Sequence, residues 1–372
     1  MLRRVGLLTT TVAIIGFASV AIVSLASPSA HSSTTLRPDI LPSSSTSTTV
    51  PAANITMSFV GDTDLGNTPV LPPNPWGYLT PVRSALTAEI QFMNLEGTLT
   101  SAASSKCSAH STNCYAFRNP PAYAQILKSY GFTVVNSANN HSHDFGSQGA
   151  SDTSLALAHA GIVQAGLPGQ IGYRHVGKIT VAFVDFAPYS NTNNMLNFSQ
   201  AALLIHRAKQ HASFVVVYMH AGAEGQIADH VTGHEEYYVG EDRGNPEAFA
   251  HAAINDGASL VIASGPHSLR GMQFYRGHLI AYSLGDFANY QNFANVGTLA
   301  YSGILKVTLS ATGTYVTAKF VPVLLLGAGR AYVDPHRAAS LFVARLSKQD
   351  FGLSAPGIAA NGNLVPPAHA FH

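Results

Sequence analysis

Charge is what this sequence has least of: only 10% of its 372 residues are Asp, Glu, Lys or Arg. Basic and acidic side chains number 20 and 19, so there is no surplus to line a groove for phosphates, and a nucleic-acid partner is excluded. Cysteine is nearly absent as well. Cys107 and Cys114 are the only two, and in the polar stretch where they lie they read as a loop-closing disulfide rather than a metal or redox pair. No internal repeat is present. A 46% hydrophobic fraction excludes disorder throughout and supplies a sizeable core, either one large domain with appendages or two to three smaller ones. Histidine is abundant by contrast: 17 residues, nearly matching Lys plus Arg, of the side chain that most often ligates metals and titrates between about pH 5 and 8.

The ends of the chain differ from its body. Arg3 and Arg4 precede an uncharged run from Val5 to Ala26, so residues 1–26 read as a secretory signal or an uncleaved membrane anchor. Either places the rest of the chain outside the cytoplasm. Residues 27–53 are rich in Ser, Thr and Pro and read as a tether that cannot bury enough apolar area to order itself. The last residues, 353–372, are rich in Ala, Gly and Pro and are expected to be loose.

Between them, over 54–352, short β-rich runs alternate with helical patterns. Strands are expected at Ile55–Val60, Ile90–Leu95, Thr133–Asn136, Ile179–Phe186, Phe214–His220 and Leu260–Ala263. Helices are expected at Pro121–Tyr130, Ser147–Ala160, Ser199–His211, Asn245–Asp256 and Pro335–Ser347. This order implies right-handed crossovers and a mainly parallel sheet. After Gly271 the pattern changes to antiparallel strands at Met272–Arg276, His278–Leu284, Gly303–Leu309 and Tyr315–Val323, so the expected fold is α/β with two packed sheets and helices outside.

Polar residues gather where these strands end, which is where α/β sheets place their sites. Asp62 and Asp64 follow the first strand and Glu96 the second, while Asn139, Asn140, His141 and Asp144 follow the third. His220 and Glu224 follow the fifth, and His267 follows the sixth. Carboxylates and an amide oxygen suit Mg or Mn; imidazoles suit Zn, Fe or Mn. Taken singly, each Asp reads more readily as a helix cap or Asx turn, Glu96 as a surface carboxylate, Asn140 as a turn residue and His220 as a core histidine. His141 is different, because Asp144 three residues on is placed to bond one ring nitrogen, leaving the other to donate a proton.

The series FVGD, NLEG, NNHSHDFG, MHAGAE and GPHSLRGMQFYRGHLIAYSLGDF, in that order between Ile55 and Phe351, resembles the CapA family of capsule synthesis proteins, linked to poly-γ-glutamate. That family is itself similar to the calcineurin-like metallophosphatases. The resemblance implies a four-layer α/β/β/α sandwich of two mixed sheets, holding two divalent ions: Mn, Fe or Zn, with Mg a further option. Carried over, Asp62, Glu96, Asn140, His220 and His267 would be metal ligands and His141 the acid, with Asp144 as its partner. Asn139 would support the third motif and Glu224 would support His220. Ser264 stands where the family often has a histidine, so one metal position is weak or is filled by Asp64.

These features imply hydrolysis of a phosphoester, with a γ-linked amide of the polymer as an alternative substrate. The contrasting reading is a non-catalytic component, tethered to the membrane in a capsule-synthesis complex, that holds an anionic polymer. Metal-dependent activity is expected to fall on acidification as imidazoles charge.

Overall fold

The computed structural model describes residues 54–108, 111 and 114–371. The expected signal or anchor and the Ser/Thr/Pro tether lie outside the described residues. Among the described residues, no helix is long and apolar enough to cross a membrane.

Two mixed sheets carry the fold. The eight-stranded sheet runs Arg330–Val333, Tyr315–Leu326, Tyr301–Ser310, Asn54–Asp64, Ile90–Leu95, Val134–Asn136, Val163–Ala165, with Asp286–Asn289 also paired to Asn54–Asp64. The four strands from Asn54–Asp64 to Val163–Ala165 are parallel to one another and Asp286–Asn289 is parallel to Asn54–Asp64, while Tyr301–Ser310, Tyr315–Leu326 and Arg330–Val333 pair antiparallel. The six-stranded sheet runs Met272–Tyr275, His278–Ala281, Leu260–Ser264, Phe214–His220, Ile179–Phe186, Gly172–Val176, with antiparallel strands only at its edges.

The strand FVVVYMH shows why the layers form. All seven residues of Phe214–His220 are buried, as parallel strands covered on both faces require. Val216 and Tyr218 join Phe59, Phe92 and Phe183 in the core between the sheets. Val215, Val217 and Met219 face the other way and pack with the helices Phe198–Lys209 and Pro246–Asn255. The first of these helices buries Ala201, Leu204, Ile205 and Ala208 on one stripe. Leu204 and Ile205 each contribute about 1.5–3 kcal/mol by burial. Asn197 caps the helix through its side chain, a bond worth about 1 kcal/mol. On the outer face of the eight-stranded sheet, Tyr123, Ile126 and Leu127 of the helix Tyr123–Ser129 and Leu157 of the helix Gly146–His159 cover Met93, Leu95 and Val135. The result is the expected α/β/β/α layering.

Two expectations fail at the C-terminal end. The last helix starts later, at Ala338, and runs to Phe351. Asp334 accepts the backbone N–H groups of His336 and Ala338, and Arg337 adopts a left-handed φ of 61°, so the chain before Ala338 forms the entry turn. The tail is packed rather than loose. Leu364 and Ala370 are buried in the inter-sheet core, the backbone of Phe320 donates to Gly362, and the Phe371 ring meets Phe274 at 6.1 Å.

Candidate metal centre

The parallel strands of both sheets end at one edge. In the first sheet, Asp62 lies in register with Asn94 and with Asp286, and Asn94 with Asn136. In the second, His220 lies in register with Ser264. Glycine allows the closest approach: a Cβ on Gly61 would lie 1.8 Å from the carbonyl oxygen of Gly285, and next to it the Asp62 N–H donates to that same oxygen at 2.9 Å. This backbone contact brings Asp62 and Asp286 together from positions far apart in the chain.

Two triads of ligand atoms result, and Asp62 belongs to both. Asp62, Glu96 and His220 form one; Asp62, His267 and Asp286 form the other, with the atoms of each within 4.8 Å of one another. His220 Nδ1 lies 3.7 Å from both Asp62 Oδ1 and Glu96 Oε2. His267 Nδ1 lies 2.7 Å from Asp286 Oδ1 and 3.5 Å from Asp62 Oδ2. His267 holds a left-handed φ of 56°, an uncommon conformation for a non-glycine residue and one that clusters at functional sites.

Asn94 ties the cluster together. Its Oδ1 accepts from Asn136 (2.7 Å) and Asn139 (2.8 Å), which leaves its Nδ2 donating to Asp62 (2.7 Å) and Glu96 (2.5 Å). Asn139 also donates to the Leu95 carbonyl at 2.7 Å and accepts from the His141 N–H at 3.0 Å. His141 donates from Nδ1 to Asp144 Oδ2 at 2.7 Å, the pairing expected from their spacing, and its Nε2 lies 3.8 Å from Glu96 Oε1. The Phe117 ring packs on His141 and the Phe293 ring on His267, each with centroids 4.5 Å apart, and the two Phe rings meet edge to face.

Two expected roles change. Asp64 belongs to neither triad and instead accepts a bond from Asn292. Glu224 does not support His220. Gly222 turns the chain with a φ of 94°, so Glu224 accepts from Arg243 Nη1 at 2.8 Å and lies 3.6 Å from His267 Nε2. The Ser264 hydroxyl, at the position expected to weaken one metal site, donates to Asp62 Oδ1 and contacts the Tyr218 hydroxyl. The carboxylate that joins His267 in its triad is Asp286. Asn94 and Asp286 went unassigned although both sit in the quoted NLEG and SLGDF runs. The one is buried within a strand, and the other depends on the Gly61–Gly285 approach.

The electrostatics call for a cation. Burial raises the Asp62 carboxyl to about 6; His267 and the bonds from Ser264 and Asn94 pull it down, while Asp286 pushes it up. Burial, and then the Asp62 charge, push Glu96 well above the usual range. Burial lowers His267, but Asp286, Glu224 and Asp62 outweigh it and lift that imidazole to about 10. His220 is held well below its usual value by burial, then by Arg243, His267 and His141. Burial likewise lowers His141, with Asp144 opposing. The His267 proton thus supplies positive charge beside the carboxylates. Glu96 Oε1 and Asn140 Oδ1 are buried without a hydrogen-bond partner, a costly state that a metal ion relieves. Oxygen and imidazole donors with no thiolate fit Mn, Fe, Zn or Mg. The residues present therefore fit divalent metal, with Asp62 common to both triads.

The Cys107–Cys114 disulfide is formed, closing the loop ahead of Phe117. Among curated proteins, the PGA biosynthesis protein CapA of Bacillus subtilis is 31% identical over 207 residues, covering 51% of this chain and 50% of its own length. The capsule biosynthesis protein CapA of Bacillus anthracis is 28% identical over 212 residues, covering 52% and 48%. The chain thus spans about half the length of these relatives. A solved 5'-nucleotidase precursor from Thermus thermophilus aligns with 79% of this chain and 59% of its own, at 13% identity and a TM-score of 0.39. The family profile described as bacterial capsule synthesis protein PGA_cap matches residues 56–291, more than half of the sequence, and the chain belongs to that family.

Proposed function

We propose that this protein is a metal-dependent phosphoester hydrolase acting in capsule or poly-γ-glutamate biosynthesis outside the cytoplasm, held at the membrane or secreted through its N-terminal segment. The observation that carries the reading is the pair of triads sharing Asp62, with the His141–Asp144 pair beside them. A bare polymer-binding surface has no need of either.

Asp62, Glu96, Asn140 and His220 would hold one ion, and Asp62, His267 and Asp286 the other. Bound there, the ions would supply Lewis acidity at a phosphoryl oxygen and lower the pKa of water for in-line attack. The chain's own residues do the rest. Asp144 fixes the Nδ1–H tautomer of His141, which aims Nε2 at the cluster. An anionic oxygen arriving at Nε2 raises the imidazole's proton affinity, so the ring takes up a proton with substrate and passes it to the leaving oxygen. Phe117 and Phe293 shield the imidazoles from water.

The experiment is turnover of p-nitrophenyl phosphodiester and phosphomonoester probes by wild type and His141→Ala with Mn supplied. The expected result is a loss of about 10²–10⁴ in kcat with bound metal retained. Equal turnover by both proteins refutes the reading. Ser264 favours a second one, a tethered polymer-holding component, because a hydroxyl engaged with Tyr218 and Asp62 gives up a metal-binding position. Binding of poly-γ-glutamate by wild type and His141→Ala alike, without turnover of any probe, would establish that reading.

A further inference from the structure

The disulfide-closed loop reaches into the site from outside the motifs. Lys106, next to Cys107, makes three contacts: its N–H donates to the Asp144 carbonyl (2.7 Å), its Nζ pairs with Asp144 Oδ1 (2.6 Å), and Nζ also donates to the Asn140 carbonyl (3.1 Å). Phe117, three residues after Cys114, donates its N–H to Asp144 Oδ2 at 2.6 Å and lays its ring on His141. The Phe117 carbonyl is pinned in turn by the N–H and hydroxyl of Thr98, both at 3.0 Å. Asp144 is fully buried, whereas the Lys106 side chain is 36% exposed, so a surface cation caps a buried carboxylate.

We infer that this loop is a positioning element for His141: Lys106 and Phe117, held on either side of the Cys107–Cys114 bridge, lock the Asp144 carboxylate and through it the His141 ring. The inference rests on the reading of His141 as proton carrier. Without the loop, Asp144 keeps only the imidazole as a partner and is free to rotate, and Nε2 loses its aim at Glu96. Lys106 acts through charge and reach together, so arginine can replace it and an isosteric neutral side chain cannot. The disulfide acts by fixing where the two flanking residues leave the loop, with Cα atoms 5.6 Å apart.

The test compares the full-length wild type with Lys106→Met, Lys106→Arg and the double variant Cys107→Ser/Cys114→Ser, with His141→Ala identifying the ring's signals. The primary readout is the ring nitrogen spectrum of His141 in chelated protein, which reports its tautomer. Wild type and Lys106→Arg are expected to show the Nδ1–H form alone; Lys106→Met and the double serine variant are expected to show a mixture. The second readout is turnover of the phosphodiester probe, where these two variants are expected to lose about tenfold in kcat with KM and bound metal unchanged, a fraction of the general-acid contribution. A single tautomer in Lys106→Met and in the double variant, with wild-type kcat, overturns the inference even if His141→Ala is inactive. If His141→Ala is fully active, the hydrolase reading fails instead, and the tautomer spectra still decide the positioning role.

Discussion

Glu96→Gln is expected to do opposite things to stability with and without metal. Glu96 is fully buried, its Oε2 accepts from Asn94, and its Oε1 has no partner 3.8 Å from His141 Nε2. Glutamine keeps the bond from Asn94 and puts an amide N–H where the unpartnered oxygen lies, facing the bare Nε2 of His141. In chelated protein at pH 7.5 the variant is therefore expected to be more stable by about 1–3 kcal/mol, the scale of a buried polar group left unpaired. The sign with pH follows from the raised carboxyl. A folded-state pKa above the unfolded value means the folded chain holds its proton more tightly, so the cost of Glu96 is absent below the usual glutamate range and grows as pH rises through the raised value. The gap between variant and wild type should close as pH falls toward about 4.3. With Mn at a hundred times its Kd, wild type gains about 2.7 kcal/mol and the variant, having lost a ligand, gains less, so the order reverses. Denaturant melts in chelator and in Mn measure both quantities. A variant less stable than wild type in chelator, or an equal gain from Mn in the two proteins, refutes the reasoning.

Acidification tests the ligands together. Metal must displace the proton that His267 holds up to about pH 10 and, below about pH 6, the one that Asp62 takes up, so metal affinity is expected to fall from pH 8 to 5 and most steeply below about pH 6. Titration of metal binding between pH 5 and 8 checks this, and affinity that is flat down to pH 5 would contradict it. Ser264→Ala removes a donor from Asp62 and a partner from Tyr218, and is expected to cost about 1–2 kcal/mol while leaving bound metal unchanged. Loss of an ion in that variant would make Ser264 a ligand after all.

What the sequence discloses of this site is the part carried by strand ends. Asp62, Glu96, His141, His220 and His267 each lie within five residues of the end of a β-rich run, and parallel strands bring such ends to one edge whatever the intervening loops do. The His141–Asp144 pair is local and equally readable. Long-range backbone contacts are not: Asp286 enters because two glycines, Gly61 and Gly285, let two chains touch. Asp64 is engaged by Asn292, a partner far along the chain that local spacing does not record. Glu224 moves to His267 because Gly222 takes a positive φ, and the tail packs because apolar Leu364, Ala370 and Phe371 find partners that its composition does not reveal. Lys106 sits in a polar loop where only the fold shows that its ammonium meets a buried carboxylate.

The most direct test of a two-ion centre bridged by Asp62 is the metal content per chain, by elemental analysis after loading with Mn, of wild type, Asp286→Ala and Asp62→Ala. Two ions are expected in wild type, one in Asp286→Ala and none in Asp62→Ala. Two ions retained in Asp286→Ala, or none in wild type at neutral pH, would contradict it.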